Sequence, residues 1–305
     1  MRTRSALPVA FLAVATLALG ACTTASQEAG GSGTGGSAAA SQGFDVSGIA
    51  KDGSIAAMVP AAIAEDGKLT VAAELSYAPL EFVGADLKTP VGLDVDIAGA
   101  VARLMGLEAD IQSSQFDAII PGIGTRYEVG ISAFTITPER LQTVNMVSYF
   151  NAGSQFAVLK GNPDGIDPAN LCGLTIGVQT GTVQQDELEA KKADCTDKPL
   201  EVLPYGKQAD VTTNLVGGKL QAMYADSPVV AYAVEQTGGA IETLGDIRDA
   251  APYGVVVAKD DTALARAVQA ALQKLMDDGT LQQIAAAWGN EQGALTTAEL
   301  NPQVG

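Results

Sequence analysis

The sequence predicts an α/β fold in which mostly parallel sheets are covered by helices on both faces. Three observations carry the prediction. Short β-rich runs alternate with stretches of helical periodicity. Gly, Pro and capping residues punctuate the junctions. Hydrophobic residues make up 47 % of the 305 positions, enough for a packed core. The length fits one large domain or two modest ones.

Each element has its own signal. Residues 69–73 follow Gly67 and read as a strand. Over 94–105, Val95, Ala98, Val101, Ala102 and Met105 recur at helical spacing, and Gly106 ends the run. Residues 116–123 give another apolar helix and 129–132 a short strand. Thr137-Pro138-Glu139 opens a helix. A strand at 174–178 leads into a helix over 182–193, and a strand at 220–224 leads into a helix over 228–235. Residues 253–258 are β-rich. Two amphipathic helices, 262–277 and 280–288, are split by Asp278-Gly279.

Ahead of this body lies an address. Arg2 and Arg4 precede a short apolar run over 6–19, too short for a comfortable membrane span, and Leu19-Gly20-Ala21-Cys22 closes it. The ending resembles the bacterial lipobox, which implies a signal peptide over 1–21 and a lipid on Cys22. Residues 22–43 then read as the lipidated Cys and a flexible Gly/Ser/Ala linker, spanning roughly 25 Å as a coil. Residues 44–66 form an N-terminal extension, with a short helix expected within 49–63.

Composition narrows the chemistry. The chain has 18 Lys plus Arg against 35 Asp plus Glu, a net charge of −17, and no His. Without His there is no His-based triad and no His ligand for zinc. The acidic balance argues against a nucleic-acid partner. The one G-x-G-x-x-G match, at Gly31, Gly33 and Gly36, lies in the linker with no preceding strand and carries no phosphate site. No cofactor and no metal are expected.

In an alternating α/β body, ligands gather at strand C-terminal ends and helix N-termini. Three junctions stand out. Thr137 as N-cap and Pro138 at N1 put Arg140 in a first turn, where the helix dipole opposes a cation; the Arg holds either a shared anion or a neighbouring acid. Thr182 with Gln185 fits a capping box at a helix start with open amides, a possible anion site or simply a well-capped helix. Asp226 ends a strand, with Ser227 expected as N-cap and Pro228 at N1, and serves either a cation or the capping of that helix.

Tyr77-Ala-Pro-Leu-Glu-Phe82, Gly92-Leu-Asp-Val-Asp-Ile97, Phe116-Asp-Ala-Ile-Ile-Pro121, Thr135-Ile-Thr-Pro-Glu-Arg140, Tyr253-Gly-Val-Val-Val and Asp278-Gly-Thr through Trp288-Gly follow one another along the chain. In this ordered set the chain resembles the polar amino-acid family of ABC-transporter solute-binding proteins. The resemblance implies a two-lobed periplasmic-binding-protein-like fold of type II. Each lobe would be a mixed sheet flanked by helices, with a two-strand hinge. Lobe 1 would comprise 67–154 plus 254–290, lobe 2 155–253, and 291–305 a C-terminal tail.

The resemblance also implies a ligand set. Arg140 would clamp an amino-acid carboxylate together with the Thr182 and Val183 amides. The Ala133 carbonyl, the Thr135 hydroxyl and Asp226 would hold the amine. Tyr77 and Phe116 would pack the side chain, and Glu74 and Gln179 would set selectivity. With Glu74 a spare acid, the expected ligand is a neutral polar or cationic amino acid. The protein would sit on the outer face of the cytoplasmic membrane, anchored by lipid, and deliver to an ABC permease. The alternative is an enzyme on the same fold, a cyclohexadienyl dehydratase, with Glu74 as general acid. Cys172 and Cys195 remain after lipidation of Cys22, and export permits a disulfide between them.

Overall fold

Alternating burial along a run fixes a strand to one layer, and the long buried runs of this chain fix two layers at once. The computed structural model describes residues 43–304. The expected signal peptide, Cys22 and nearly all of the expected linker lie outside the described residues. The strands are β1 Lys68–Ala73, β2 Ser76–Tyr77, β3 Glu81–Val83, β4 Pro90–Val91, β5 Glu108–Ser113, β6 Val129–Gly130, β7 Val144–Leu159, β8 Thr175–Gln179, β9 Glu201–Tyr205, β10 Ala222–Asp226 and β11 Ile241–Ala258. The helices are α1 Gly53–Ala56, α2 Ala61–Asp66, α3 Leu93–Met105, α4 Phe116–Gly122, α5 Pro138–Thr143, α6 Val183–Lys191, α7 Gln208–Val216, α8 Ser227–Gln236, α9 Thr262–Asp277 and α10 Thr280–Ala287.

Eight strands form one mixed sheet in the order β5-β1-β6-β11-β7-β10-β8-β9, and β2-β3-β4 form a small antiparallel one. Within each half the neighbours β5, β1, β6 and β10, β8, β9 run parallel, as the alternation of elements requires. The long strands β7 and β11 depart from the parallel expectation: they pair antiparallel with one another and run through both lobes. Residues 144–150 of β7 are buried, Asn151 is exposed, and burial resumes at Gly153. The partner strand β11 is broken by register shifts between Leu244 and Gly254. Gly153 is required at this crossing, since a Cβ there would lie 2.3 Å from the Arg248 carbonyl oxygen.

The termini brace the first lobe. The short helix expected within 49–63 is instead two, α1 and α2, with Pro60 at the N-cap of the second, because Pro removes an N–H and clashes with a preceding turn. Asp52 caps α1 by accepting from the Ser54 and Ile55 amides, and Ile55 enters the core. Asp96 on α3 accepts from both the Phe44 amide and Trp288 Nε1, tying extension, helix and C-terminal segment together. The tail lies along the free edge of β7, where Glu299 and Asn301 exchange hydrogen bonds with Ser148 and Met146. Among the described residues no helix is long and apolar enough to cross a membrane.

Cys172 and Cys195 form a disulfide in the second lobe, beside the cluster of Ile176, Val178 and Leu188. Its 23-residue separation gives about 3 kcal/mol of stabilisation in the chain-entropy model. A Cys172→Ala/Cys195→Ala double variant is expected to lose that much in denaturant unfolding. Alkylation of either thiol in the unreduced native chain would contradict the pairing.

Candidate functional site

The three junctions singled out in the sequence converge on one cleft between the lobes. Tyr77, Phe116, Ser132, Ala133, Thr135, Arg140, Thr182, Val183, Gln184 and Asp226 line it, so eight of the ten predicted ligand residues do. The other two, Glu74 and Gln179, are buried at one side. Glu74 directly follows β1, and Gln179 and Asp226 are the last residues of β8 and β10. The chemistry therefore sits at the carboxyl ends of parallel strands.

Arg140 stands in the first turn of α5, where Thr137 Oγ1 caps its amide and Pro138 begins the helix. Its Nη1 donates to the Thr135 carbonyl at 2.7 Å and its Nη2 to the Gly181 carbonyl at 3.1 Å. Both acceptors are neutral, and among the described residues Arg140 has no acid within ion-pair distance. Of the two readings left open for Arg140, the neighbouring acid is absent among the described residues. The guanidinium also lies 5.6 and 5.5 Å from the ring centres of Phe116 and Phe134, which stack on each other at 4.5 Å. Those faces attract a cation and orient its plane. Burial lowers the guanidinium below its ordinary pKa and the Asp226 charge opposes that shift; the group stays protonated.

At Asp226 the expected cap is corrected. The helix begins at Ser227, so Asp226 and not Ser227 takes the cap position, yet its side chain makes no cap bond. The carboxylate turns into the cleft instead. Oδ2 accepts from the Tyr77 hydroxyl at 2.7 Å, and Oδ1 from Gln184 Nε2 at 2.7 Å. Gln184 reaches on to Ser154 Oγ on the crossing strand β7. Burial raises the Asp226 pKa from its ordinary value, against the pull of these donors and of Arg140.

At Thr182 the capping is offset from the expected box. Thr182 Oγ1 accepts from the Gln185 amide, but Gln185 Oε1 accepts from Gly181 N, one residue earlier than a capping box requires. Among the described residues no bond takes the Thr182 or Val183 amides, which remain open to the cleft at the start of α6. Ala133 adopts a left-handed backbone at φ 49°, and its amide donates to Asp94. Its carbonyl is taken by no described bond. Thr135 contributes its carbonyl to Arg140, and its hydroxyl is bonded to no described residue.

Glu74 is buried with neutral partners: Oε2 accepts from Ser76 Oγ and, across the cleft, from Gln179 Nε2 at 3.0 Å. Burial raises its pKa, and the distant Lys207 charge only weakly opposes this. Lys207 and Lys219 are both exposed, so neither folds in to neutralise it. Gln179 Oε1 is buried without a partner.

Among the described residues, three contacts that join the lobes across the cleft are Tyr77 with Asp226, Gln179 with Glu74 and Arg140 with Gly181. They draw the cleft down to about 10 Å³, room for a single water. A larger guest requires these bonds to part. Sequence reasoning missed Gln184, Ser132 and Phe134. Phe134 and Ser132 flank Ala133 in a segment already singled out, and Gln184 stands two residues past the Thr182 cap, where a first-turn side chain reaches the same space as the amides.

Residues 69–291 match the bacterial extracellular solute-binding proteins, family 3. The arginine-binding protein ArgT of Corynebacterium glutamicum is 38 % identical over 255 residues, 82 % of this chain and 83 % of that protein. An ancestral arginine-binding protein bound to arginine superposes with a TM-score of 0.68 at 28 % identity, covering 73 % of this chain and 98 % of that one. The ancestral amino acid-binding protein AncCDT-1, described as a precursor of cyclohexadienyl dehydratase, gives 0.68 at 27 % identity over 74 % and 97 %. Fold, motif order and these likenesses agree, and the chain belongs to family 3 of the bacterial extracellular solute-binding proteins.

Proposed function

We propose that the protein captures a cationic amino acid, arginine, and delivers it to an ABC permease. The observation that carries this reading is the charge inventory of the cleft. Arg140 balances an α-carboxylate, with the Thr182 and Val183 amides beside it. Asp226 and the Ala133 carbonyl suit an α-ammonium. Glu74 is then left over, buried and without a cationic partner. A buried charge needs compensation. A guanidinium supplies it with a planar fork matched to a carboxylate; a second carboxylate would be repelled. The names of the arginine-binding relatives support the same choice.

In this reading lobe 1 comprises 67–154 and 254–290 and lobe 2 155–253, hinged where β7 and β11 cross. The three interlobe bonds of the closed cleft are exchanged for bonds to the ligand. Lipid on Cys22 tethers the body to the outer face of the cytoplasmic membrane. The protein is read as a binder and not as a dehydratase. The likeness to AncCDT-1 is to a protein itself described as amino acid-binding, and Glu74 is held by Ser76 and Gln179 in a polar setting ill-suited to a general acid in an apolar ring pocket.

Thermal shift across the amino acids is expected to give its largest stabilisation with arginine and none with glutamate or aspartate. A largest shift with either acid would contradict the ligand class. Arg140→Ala is expected to weaken arginine binding about thirtyfold or more by calorimetry, because it strands a desolvated carboxylate. A loss of less than a few-fold would place the carboxylate clamp elsewhere.

A further inference from the structure

Beneath the cleft, two acids from separate motifs meet with no cation between them. Glu81, at the start of β3, and Asp94, in the first turn of α3, are both fully buried. Gly92 makes the meeting possible. Its φ of 138° and lack of a side chain let the start of α3 approach β3 so closely that a Cβ would lie 2.1 Å from the Leu80 carbonyl oxygen. The Leu93 and Asp94 amides then donate to the Pro79 and Leu80 carbonyls.

The hydrogen bonds around the pair are unequal. Asp94 accepts from the Ala133 amide at 2.8 Å and from the Tyr149 hydroxyl at 2.7 and 2.8 Å. It also lies at a helix N-terminus, which favours negative charge. Glu81 accepts from Ser132 Oγ through Oε1, while its Oε2 is buried with no hydrogen-bond donor directed at it among the described residues. Ser132 has a single proton. Its Oγ already accepts the Glu74 amide, so that proton goes to Glu81. The other groups around the pair are Glu74, Asp226 and the hydroxyl of Tyr149, none of them cationic.

Two adjacent buried carboxylates cannot both ionise. We propose that Glu81 is a neutral carboxylic acid whose Oε2–H donates to an ionised Asp94, and that this pair positions Ser132 and Ala133, the floor of the ligand cleft. One proton satisfies every group: Glu81 gains a partner for its orphaned oxygen, and Asp94 stays an acceptor for the Ala133 amide. That amide bond holds Ala133 in its left-handed conformation, with its carbonyl free. The direction of titration agrees. Burial and then the Asp94 charge push Glu81 well above the carboxylate range, while Asp94 is pushed up by burial only to about 6 because the Ala133 and Tyr149 bonds oppose it.

The role in positioning the cleft rests on the ligand reading above; the protonation state does not. The test is therefore twofold. Infrared difference spectroscopy at neutral pH, wild type against Glu81→Gln, is expected to show the C=O stretch of a protonated carboxyl that the variant lacks. Glu81→Gln keeps a donor toward Asp94 and is expected to bind arginine within about threefold of wild type. Glu81→Leu, checked for folding by circular dichroism, removes the donor and the Ser132 acceptor and is expected to bind about tenfold or more weakly. Absence of the carboxyl band in the wild type, or unaltered binding by folded Glu81→Leu, overturns the proposal. Should wild type fail to bind arginine at all, the ligand reading falls and the infrared band alone decides the protonation of Glu81.

Discussion

Charge taken out of water must find compensation nearby, and the interlobe cleft is organised around that requirement. One guanidinium, Arg140, shares a dry space with the buried carboxyls of Asp226 and Glu74, and with Glu81 and Asp94 beneath them. Everything else near the cleft manages this imbalance. Tyr77 and Gln184 solvate Asp226, Ser76 and Gln179 solvate Glu74, and backbone carbonyls and aromatic faces accommodate Arg140. None of these partners carries a formal charge. The cleft is thus polarised and incompletely neutralised, which is the physical basis for reading it as a receptor for a zwitterion with an additional positive charge.

The fold makes such a cleft movable. Its two sides come from sheet halves whose only shared strands are β7 and β11, and the register of that pair is irregular between Leu244 and Gly254. Gln184 connects Asp226 to Ser154 on β7, so the acid facing the cleft is linked to the crossing strand itself. The closing bonds between Tyr77 and Asp226 and between Gln179 and Glu74 join the same groups that a ligand would engage. Opening therefore costs hydrogen bonds that binding can replace, and a ligand shifts the balance only through its differential contacts with the closed form.

Where local rules sufficed, the sequence was readable. The Thr137 cap, Thr182 at the N-cap position, the helix ended by Gly106, and the split at Asp278-Gly279 are decided within a few residues and appear in the fold as expected, apart from the offset return bond of Gln185. The strands β5 and β9 were not legible, since both lie at sheet edges and carry little fully buried surface, so neither shows a clean apolar alternation. β11 was read only over its last residues, because 241–252 include Gly245, Asp246 and Asp249 and are held by pairing with β7. In the site, the motif resemblance named eight residues that the fold brings to the cleft. The direction in which Asp226 turns depends on Tyr77, 149 positions away, and no local rule predicts it. Likewise Glu81 and Asp94 each sit in a recognisable motif, but their contact is a tertiary fact.

The central claim, that Glu74 is an uncompensated acid selecting a cationic side chain, is tested most directly by calorimetry of arginine and of its neutral isostere citrulline on wild type and on Glu74→Gln. The account predicts that wild type prefers arginine by about thirtyfold or more, as for a desolvated charge pair. It also predicts that Glu74→Gln loses most of that preference while citrulline affinity changes little. Equal affinity for the two ligands in wild type, or an arginine preference unchanged in Glu74→Gln, would contradict it.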